Sequence, residues 1–317
     1  MMNLVGLQIS YFLSRFGFQK LRFLSPFFLS VETANYCNLH CPECPVGQRT
    51  TVREDARLFQ FELFQKLIDE QKRTLFHVIL YFQGEPLINK KLPDFISYAH
   101  KARIYTSIST NAQLLNKKNA KELILAGLDK IIVSVDGATQ EVYEQYRVGG
   151  KLQKVIEGVE ALNELKRELN SPTPMVEMQF IVLKTNENQM DDMKRLARKL
   201  QVDRLVFKTA QLYDFEKGHP LLTTKDKYAR YKYLPDGSLQ IKNQLPNHCW
   251  RLWNGAVVNA FGEVLPCCYD KASDYSYGNV EKQPFLSAWQ GSSGRSFRDS
   301  VLANRKQYEM CRNCTGK

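Results

Sequence analysis

Cysteine is absent from residue 45 through residue 248, although eight cysteines stand outside that stretch. A disulfide framework belongs to short secreted chains with evenly spread cysteines, so the gap argues against one and for a reducing, cytoplasmic setting. Long apolar runs are also missing. Residues 1–31 are mostly apolar, but Arg15, Lys20 and Arg22 interrupt them before the length of a membrane span is reached. No basic start or small-residue cleavage site marks a signal peptide. Tandem repeats and low-complexity tracts are lacking too, which excludes solenoid and fibrous architectures.

What is present is ordinary globular material. The chain has 317 residues, 44% hydrophobic and 24% charged, enough for one large domain and a smaller one. A formal net charge of +11 raises the question of nucleic acid. Lys and Arg are dispersed, however, and in segments such as 191–200 they mix with acids as solvated helix faces do. No RNA-binding motif stands among them, so no nucleic-acid partner is expected. At the N-terminus, Val5, Ile9, Phe12, Leu13 and Phe16 form one helical stripe within an apolar helix assigned to residues 1–25. That helix either packs on the base of the main domain or lies on a membrane surface as a peripheral contact.

From residue 26 to 215, strand-like runs (27–32, 78–82, 104–109, 130–135, 176–183, 204–208) alternate with amphipathic helical runs (62–71, 92–101, 117–126, 151–169, 189–200). Gly127 and the Asn-Ser-Pro turn at 170–172 close two of the helices. Strand–helix–strand order predicts right-handed crossovers and a parallel sheet. Six such units predict an α/β fold, a partial (β/α)6 barrel rather than a closed one, with function at the carboxyl ends of the strands. Residues 216–246 read as a bridge with hairpin or helical turns. Residues 247–317 read as a small cysteine-bearing module with a hairpin around Phe261-Gly262-Glu263.

Cys37-x3-Cys41-x2-Cys44 follows the first strand. Three thiolates can hold three irons of a cubane and leave the fourth open to a small chelating ligand. With His40 as a fourth ligand, they could instead close a structural zinc site. Further motifs stand at later strand ends: Gln83-Gly84-Glu85-Pro86 after the second, Ser109-Thr110-Asn111 after the third, and Ser134-Val135-Asp136-Gly137, continuing to Tyr146-Arg147, after the fourth. In this order the motifs resemble those of the radical SAM enzymes. The resemblance implies a [4Fe–4S] cluster on Cys37, Cys41 and Cys44 that binds and cleaves S-adenosylmethionine. It assigns the ligand's amino group to Gly84 and Glu85, and polar contacts to ribose and carboxylate to Asn111, Ser134 and Asp136, with Arg147 as a carboxylate clamp. A glycine lets backbone approach a ligand, and a carboxylate complements an ammonium. Two positions depart from the family pattern: Glu43 stands where an aromatic residue is usual, and Gln83 where a glycine is.

The second group, Cys249, Cys267, Cys311 and Cys314, resembles the Twitch module, a shortened SPASM domain with one auxiliary Fe–S cluster, here expected to be [4Fe–4S]. A structural zinc ribbon is the rival. The spacing from Gly262 favours Cys267 over its neighbour Cys268, which is left as a small buried side chain. Trp250, Trp253, Tyr269, Tyr275, Tyr277 and Trp289 are expected to shield the cluster and tie the module to the barrel. Two such clusters would take about three charges off the formal total.

The resemblance further implies hydrogen-atom removal from a substrate and loss of an electron to the auxiliary cluster, with a reductant such as flavodoxin or ferredoxin. The expected substrate is a small molecule, hydroxylated or sugar-like, that is oxidised or rearranged. Peptide maturation is the alternative, although residues 1–31 are too few for the recognition domain that many peptide-modifying relatives carry. A reading of another class is a non-catalytic zinc protein that contacts RNA or a membrane. No residue can be named as hydrogen donor or substrate base. Gln179, Lys208 and Tyr213 lie near later strand ends.

Overall fold

The computed structural model describes residues 2–17, 24–48, 55–213, 216, 218–243 and 245–316. Lys20, Arg22 and residue 215 at the expected barrel boundary lie outside them. In chain order the elements are α1 (Met2–Ser14), β1 (Phe28–Val31), α2 (Pro45–Gln48), α3 (Phe61–Gln71), β2 (His77–Ile79), α4 (Leu92–Lys101), β3 (Tyr105–Thr110), α5 (Lys117–Leu125), β4 (Lys130–Ser134), α6 (Gln140–Tyr146), α7 (Leu152–Glu168), β5 (Met175–Val182), α8 (Met190–Lys199) and β6 (Arg204–Thr209). There follow β7 (Tyr231–Tyr233), β8 (Leu239–Ile241), α9 (Arg251–Asn254), β9 (Gly255–Val258), β10 (Val264–Leu265), α10 (Phe285–Trp289), α11 (Ser292–Asn304) and α12 (Glu309–Arg312). The class is α/β with mostly parallel strands, and the six expected strands are all present. The structure adds helices that the periodicity does not predict, α6 and α11 among them.

The chain divides into two compact units. The first comprises Met1–Tyr36, Thr51–Thr106 and Gln244–Lys317; the second comprises Cys37–Thr50 and Ser107–Asn243. In the first unit β1 pairs in parallel with β2 on one side and with β9 on the other, and β10 runs antiparallel to β9. The expected hairpin is therefore present, and its first strand also extends the sheet at β1. Helices α3 and α4 pack Phe64 against Phe95, ring centroids 4.8 Å apart, and bury Leu67, Ile68 and Ile96. That contact removes the apolar faces of both helices from water.

Helix α1 belongs to this unit and uses a different face from the expected one. Trp253 Nε1 donates to Ser10 Oγ at 3.3 Å, Tyr11 Oη lies 3.0 Å from His248 Nδ1, and Leu7 is fully buried. Val5, Ile9, Phe12 and Phe16 are 47–64% exposed. The apolar stripe thus faces solvent, because the aromatic residues near Trp253 select the Leu7–Ser10–Tyr11–Ser14 side. Among the described residues no helix is long and apolar enough to cross a membrane.

In the second unit, β3 from Ser107 onward, β4, β5 and β6 pair in parallel. Asn116 caps α5 by accepting the Asn119 N–H, and Ala120 and Leu123 of α5 are buried, as are Val155, Val159 and Leu162 of α7. Asp191 and Asp192 open α8, and Arg198 and Lys199 close it, matching the helix dipole at both ends. The bridge contains the antiparallel hairpin β7–β8, whose Tyr231 and Leu239 pack with Leu212.

Candidate metal and cofactor centres

In the second unit the first cysteine group sits on a small apolar floor. Cys41 is buried with Leu39, Tyr146 and Leu183, and Cys37 and Cys44 pack against the same cluster. Strand ends supply the polar contacts. Asn111, just past β3, donates from Nδ2 to Asn38 Oδ1 at 2.9 Å and to Cys37 Sγ at 3.4 Å. Asp136, just past β4 and fully buried, accepts Arg147 Nε at 2.6 Å and the Ile181 N–H at 2.6 Å. Arg147 Nη1 then reaches Cys41 Sγ at 3.8 Å. Burial opposes the charge on Arg147, but Asp136 and Cys41 outweigh it and hold the guanidinium well above its ordinary pKa. Burial likewise raises the Cys41 thiol, against the pull of Arg147.

Ser134 ends β4 opposite Gln179 of β5, and Gln179 Nε2 donates to Glu177 Oε1 at 2.7 Å. Lys208 is exposed. Glu43 accepts the Tyr213 N–H at 2.8 Å and lies 3.2 Å from His219 Nε2. The departure at position 43 thus replaces a ring with a carboxylate that fastens the cysteine loop to the 213–219 segment. His40 Nδ1 lies 3.3 Å from the Gly47 carbonyl oxygen.

On the first unit, Gly84 and Glu85 follow β2. A Cβ at Gly84 would lie 2.0 Å from the Ala34 carbonyl oxygen, so this glycine serves a close approach of two backbones. Glu85 is 2% exposed; its N–H donates to Tyr36 O at 2.9 Å, and its Oε1 accepts the Leu87 N–H at 3.1 Å. Beneath them lies a carboxyl that sequence reasoning missed. Glu32, buried at the end of β1, accepts the N–H groups of Gln83 at 3.2 Å and Ala260 at 3.1 Å. Burial raises its pKa to about 7 against those bonds and nearby Lys271.

The second cysteine group also lies on the first unit. Cys249, Cys267, Cys311 and Cys314 line one cavity of about 370 Å³ together with Arg251 and Arg305. Cys268 does not line it and packs against Phe82, Val257 and Leu265. Burial pushes the Cys267 thiol well above its ordinary range, with Cys268, Cys249 and Cys311 adding to the rise. Cys311 rises to about 11 by burial, opposed by Arg305. Of the six aromatic residues expected as a shield, Trp250 and Tyr269 line the cavity. Trp289 and Trp253 stack near the buried Arg298 instead.

The donor sets fit iron–sulfur clusters. None of the eight cysteines is in a disulfide, and four thiols lining one cavity are a donor set suited to a metal core. Among the described residues no three His, Cys, Asp or Glu side chains are grouped for a single ion. Arg305 Nε, buried and without a hydrogen-bond partner, is an orphaned donor of a cavity-lining residue. Arg305 and Arg251 escaped sequence reasoning; their one signal is closeness to cysteine, Arg251 two residues after Cys249 and Arg305 six before Cys311.

Comparison with known proteins agrees. The model of the Radical SAM superfamily matches residues 31–200, and that of the SPASM iron–sulfur cluster-binding domain matches 249–315. The chain is 24% identical to the tungsten-containing aldehyde ferredoxin oxidoreductase cofactor-modifying protein of Pyrococcus furiosus, over 91% of this chain and 87% of that one. It is 26% identical to the Fe-coproporphyrin III synthase of Methanosarcina barkeri, over 85% of this chain and 74% of that one. Among solved structures, BtrN in complex with AdoMet and 2-DOIA has the same fold, with a TM-score of 0.53 at 20% identity over 92% and 93% of the two chains. The chain belongs to the radical SAM superfamily, carries a C-terminal SPASM domain, and takes [4Fe–4S] clusters and S-adenosylmethionine as cofactors.

Proposed function

We propose that this radical SAM enzyme oxidises a small, hydroxyl-bearing molecule by two electrons. The observation that carries the reading is the four-cysteine cavity, because a cluster with every iron held by a thiolate has no open site for S-adenosylmethionine and is left with electron transfer. When bound, the Cys37–Cys41–Cys44 cluster and S-adenosylmethionine supply a carbon-centred radical that removes a hydrogen atom from the substrate. A cluster held by Cys249, Cys267, Cys311 and Cys314 would supply an acceptor for one further electron, and with one proton passing to solvent the product would be two hydrogens lighter. Relatives named as a cofactor-modifying protein and a coproporphyrin synthase support a small substrate.

The chain's own residues prepare this chemistry. Asn111 fixes the loop that bears Cys37, and Asp136 holds Arg147 beside Cys41, where a guanidinium offsets thiolate charge. Leu39, Tyr146 and Leu183 bury Cys41 and shield it from water. Gly84 and Glu85 keep the expected role toward the amino group, and Ser134 its expected polar contact to ribose or carboxylate. Cys249, Cys267, Cys311 and Cys314 are the auxiliary ligands, with Cys268 outside. A cytoplasmic setting and a flavodoxin- or ferredoxin-like reductant complete the proposal. Deuterium tracing tests it: a deuterated hydroxylated substrate should label 5′-deoxyadenosine and yield a product two hydrogens lighter. Label that returns to a product of unchanged composition would instead establish a rearrangement.

A further inference from the structure

Two guanidinium groups stand at the four-cysteine cavity, and neither the capture of S-adenosylmethionine nor hydrogen removal requires them. Arg305 Nη2 donates to Cys314 Sγ at 3.5 Å and Nη1 to the Pro246 carbonyl at 3.5 Å, while its buried Nε has no partner. Among the described residues Arg305 forms no ion pair with a carboxylate. Arg251 Nη1 donates to Cys268 Sγ at 3.9 Å, next in sequence to Cys267.

Charge arithmetic gives these residues a task. Four thiolates around a [4Fe–4S]2+ core carry a formal charge of about −2, and reduction takes it to about −3. In a partly enclosed cavity that extra electron is costly, and nearby positive charge offsets the cost more than it would in water. Arginine stays protonated; Arg305 meets a ligand sulfur directly, whereas Arg251 lines the same cavity and meets the neighbouring Cys268. We propose that Arg251 and Arg305 poise the auxiliary cluster as an electron acceptor, two fixed positive charges favouring its reduced form so that the substrate radical gives up its electron there. This inference rests on the reading that Cys249, Cys267, Cys311 and Cys314 hold a cluster. The two arginines are positioning residues that act on the cluster's charge and do not touch the substrate.

The test uses the full chain with Cys37, Cys41 and Cys44 all changed to Ala, which leaves only the auxiliary site. Retention of about four irons and four sulfides checks the underlying reading; their absence would sink that reading and leave no site for the inference. Dithionite titration followed by electron paramagnetic resonance then gives the midpoint potential. Arg305→Gln and Arg251→Gln should each lower the reduced-to-oxidised ratio at fixed potential at least tenfold, about 59 mV for one electron. Arg305→Lys and Arg251→Lys should stay within about threefold. Should the Gln variants lose iron and the Lys variants keep it, the demand for positive charge stands. Unchanged potentials in both Gln variants, or loss of iron from all four, would overturn the proposal.

Discussion

The two cysteine groups of this protein are built on different electrostatic plans. In the first, three thiols share an apolar floor with one guanidinium, and that guanidinium is bound at 2.6 Å to Asp136. In the second, four thiols line a cavity with two arginines, one of which has no carboxylate partner among the described residues. The first plan limits the net positive charge at the thiolates and suits a cluster that must give an electron away to cleave a sulfonium. The second concentrates it and suits a cluster that must take one. The thiolate counts agree, since three leave an iron open for a ligand and four do not.

The largest expected break in this comparison comes from the first group. Cys41→Ala should reduce 5′-deoxyadenosine formation to background, measured by chromatography after reduction, while the auxiliary iron stays. Cys311→Ala and Cys267→Ala should reverse the pattern: about four irons are lost, S-adenosylmethionine is still cleaved, and the oxidised product disappears. Cys268→Ala should retain the full iron content. If Cys268→Ala and not Cys267→Ala lost the auxiliary iron, the ligand assignment would move by one residue.

Smaller effects concern the frame that carries the second group. Gly84→Ala forces a methyl onto the Ala34 carbonyl and should cost about 1–3 kcal/mol, or more, in urea unfolding of the cluster-free chain. Glu32 gives a pH signature of similar size. Its folded pKa is raised from 4.5 to about 7, so its contribution is full below about pH 4.5 and is lost as pH rises through about 7. The shift corresponds to about 3 kcal/mol. Stability of the cluster-free chain should therefore fall from pH 5 to pH 8, and Glu32→Gln should flatten that slope. An unchanged slope would show that Glu32 is ionised throughout. At the low end, Phe12→Ser on the exposed face of α1 should move stability by less than about 0.5 kcal/mol.

Much of this was legible in the sequence because it is local. Alternation of apolar runs places β4 and β6 within a residue and α4 without error, and the motif at each strand end follows from that order. What escaped depends on contacts between distant residues. The stripe of Val5, Ile9, Phe12 and Phe16 has helical spacing, yet the packed face is chosen by Ser10 and Tyr11 meeting Trp253 and His248. The parallel pairing of β9 with β1 joins residues 255–258 to 28–31, and no periodicity encodes such a partner. Glu32 reads as an ordinary polar residue after a strand until Ala260 is folded onto it. Arg305 reads as one of many dispersed cations until its neighbours prove to be thiols.

Two clusters with separate tasks, one on each cysteine group, imply a defined metal content. Iron, sulfide and zinc analysis after anaerobic purification, on the native chain and on the variant with Cys37, Cys41 and Cys44 changed to Ala, tests it most directly. About eight irons and eight sulfides are expected in the first and about four of each in the second, with 5′-deoxyadenosine formed only by the native chain. Stoichiometric zinc without sulfide, or equal 5′-deoxyadenosine from both proteins, would contradict it.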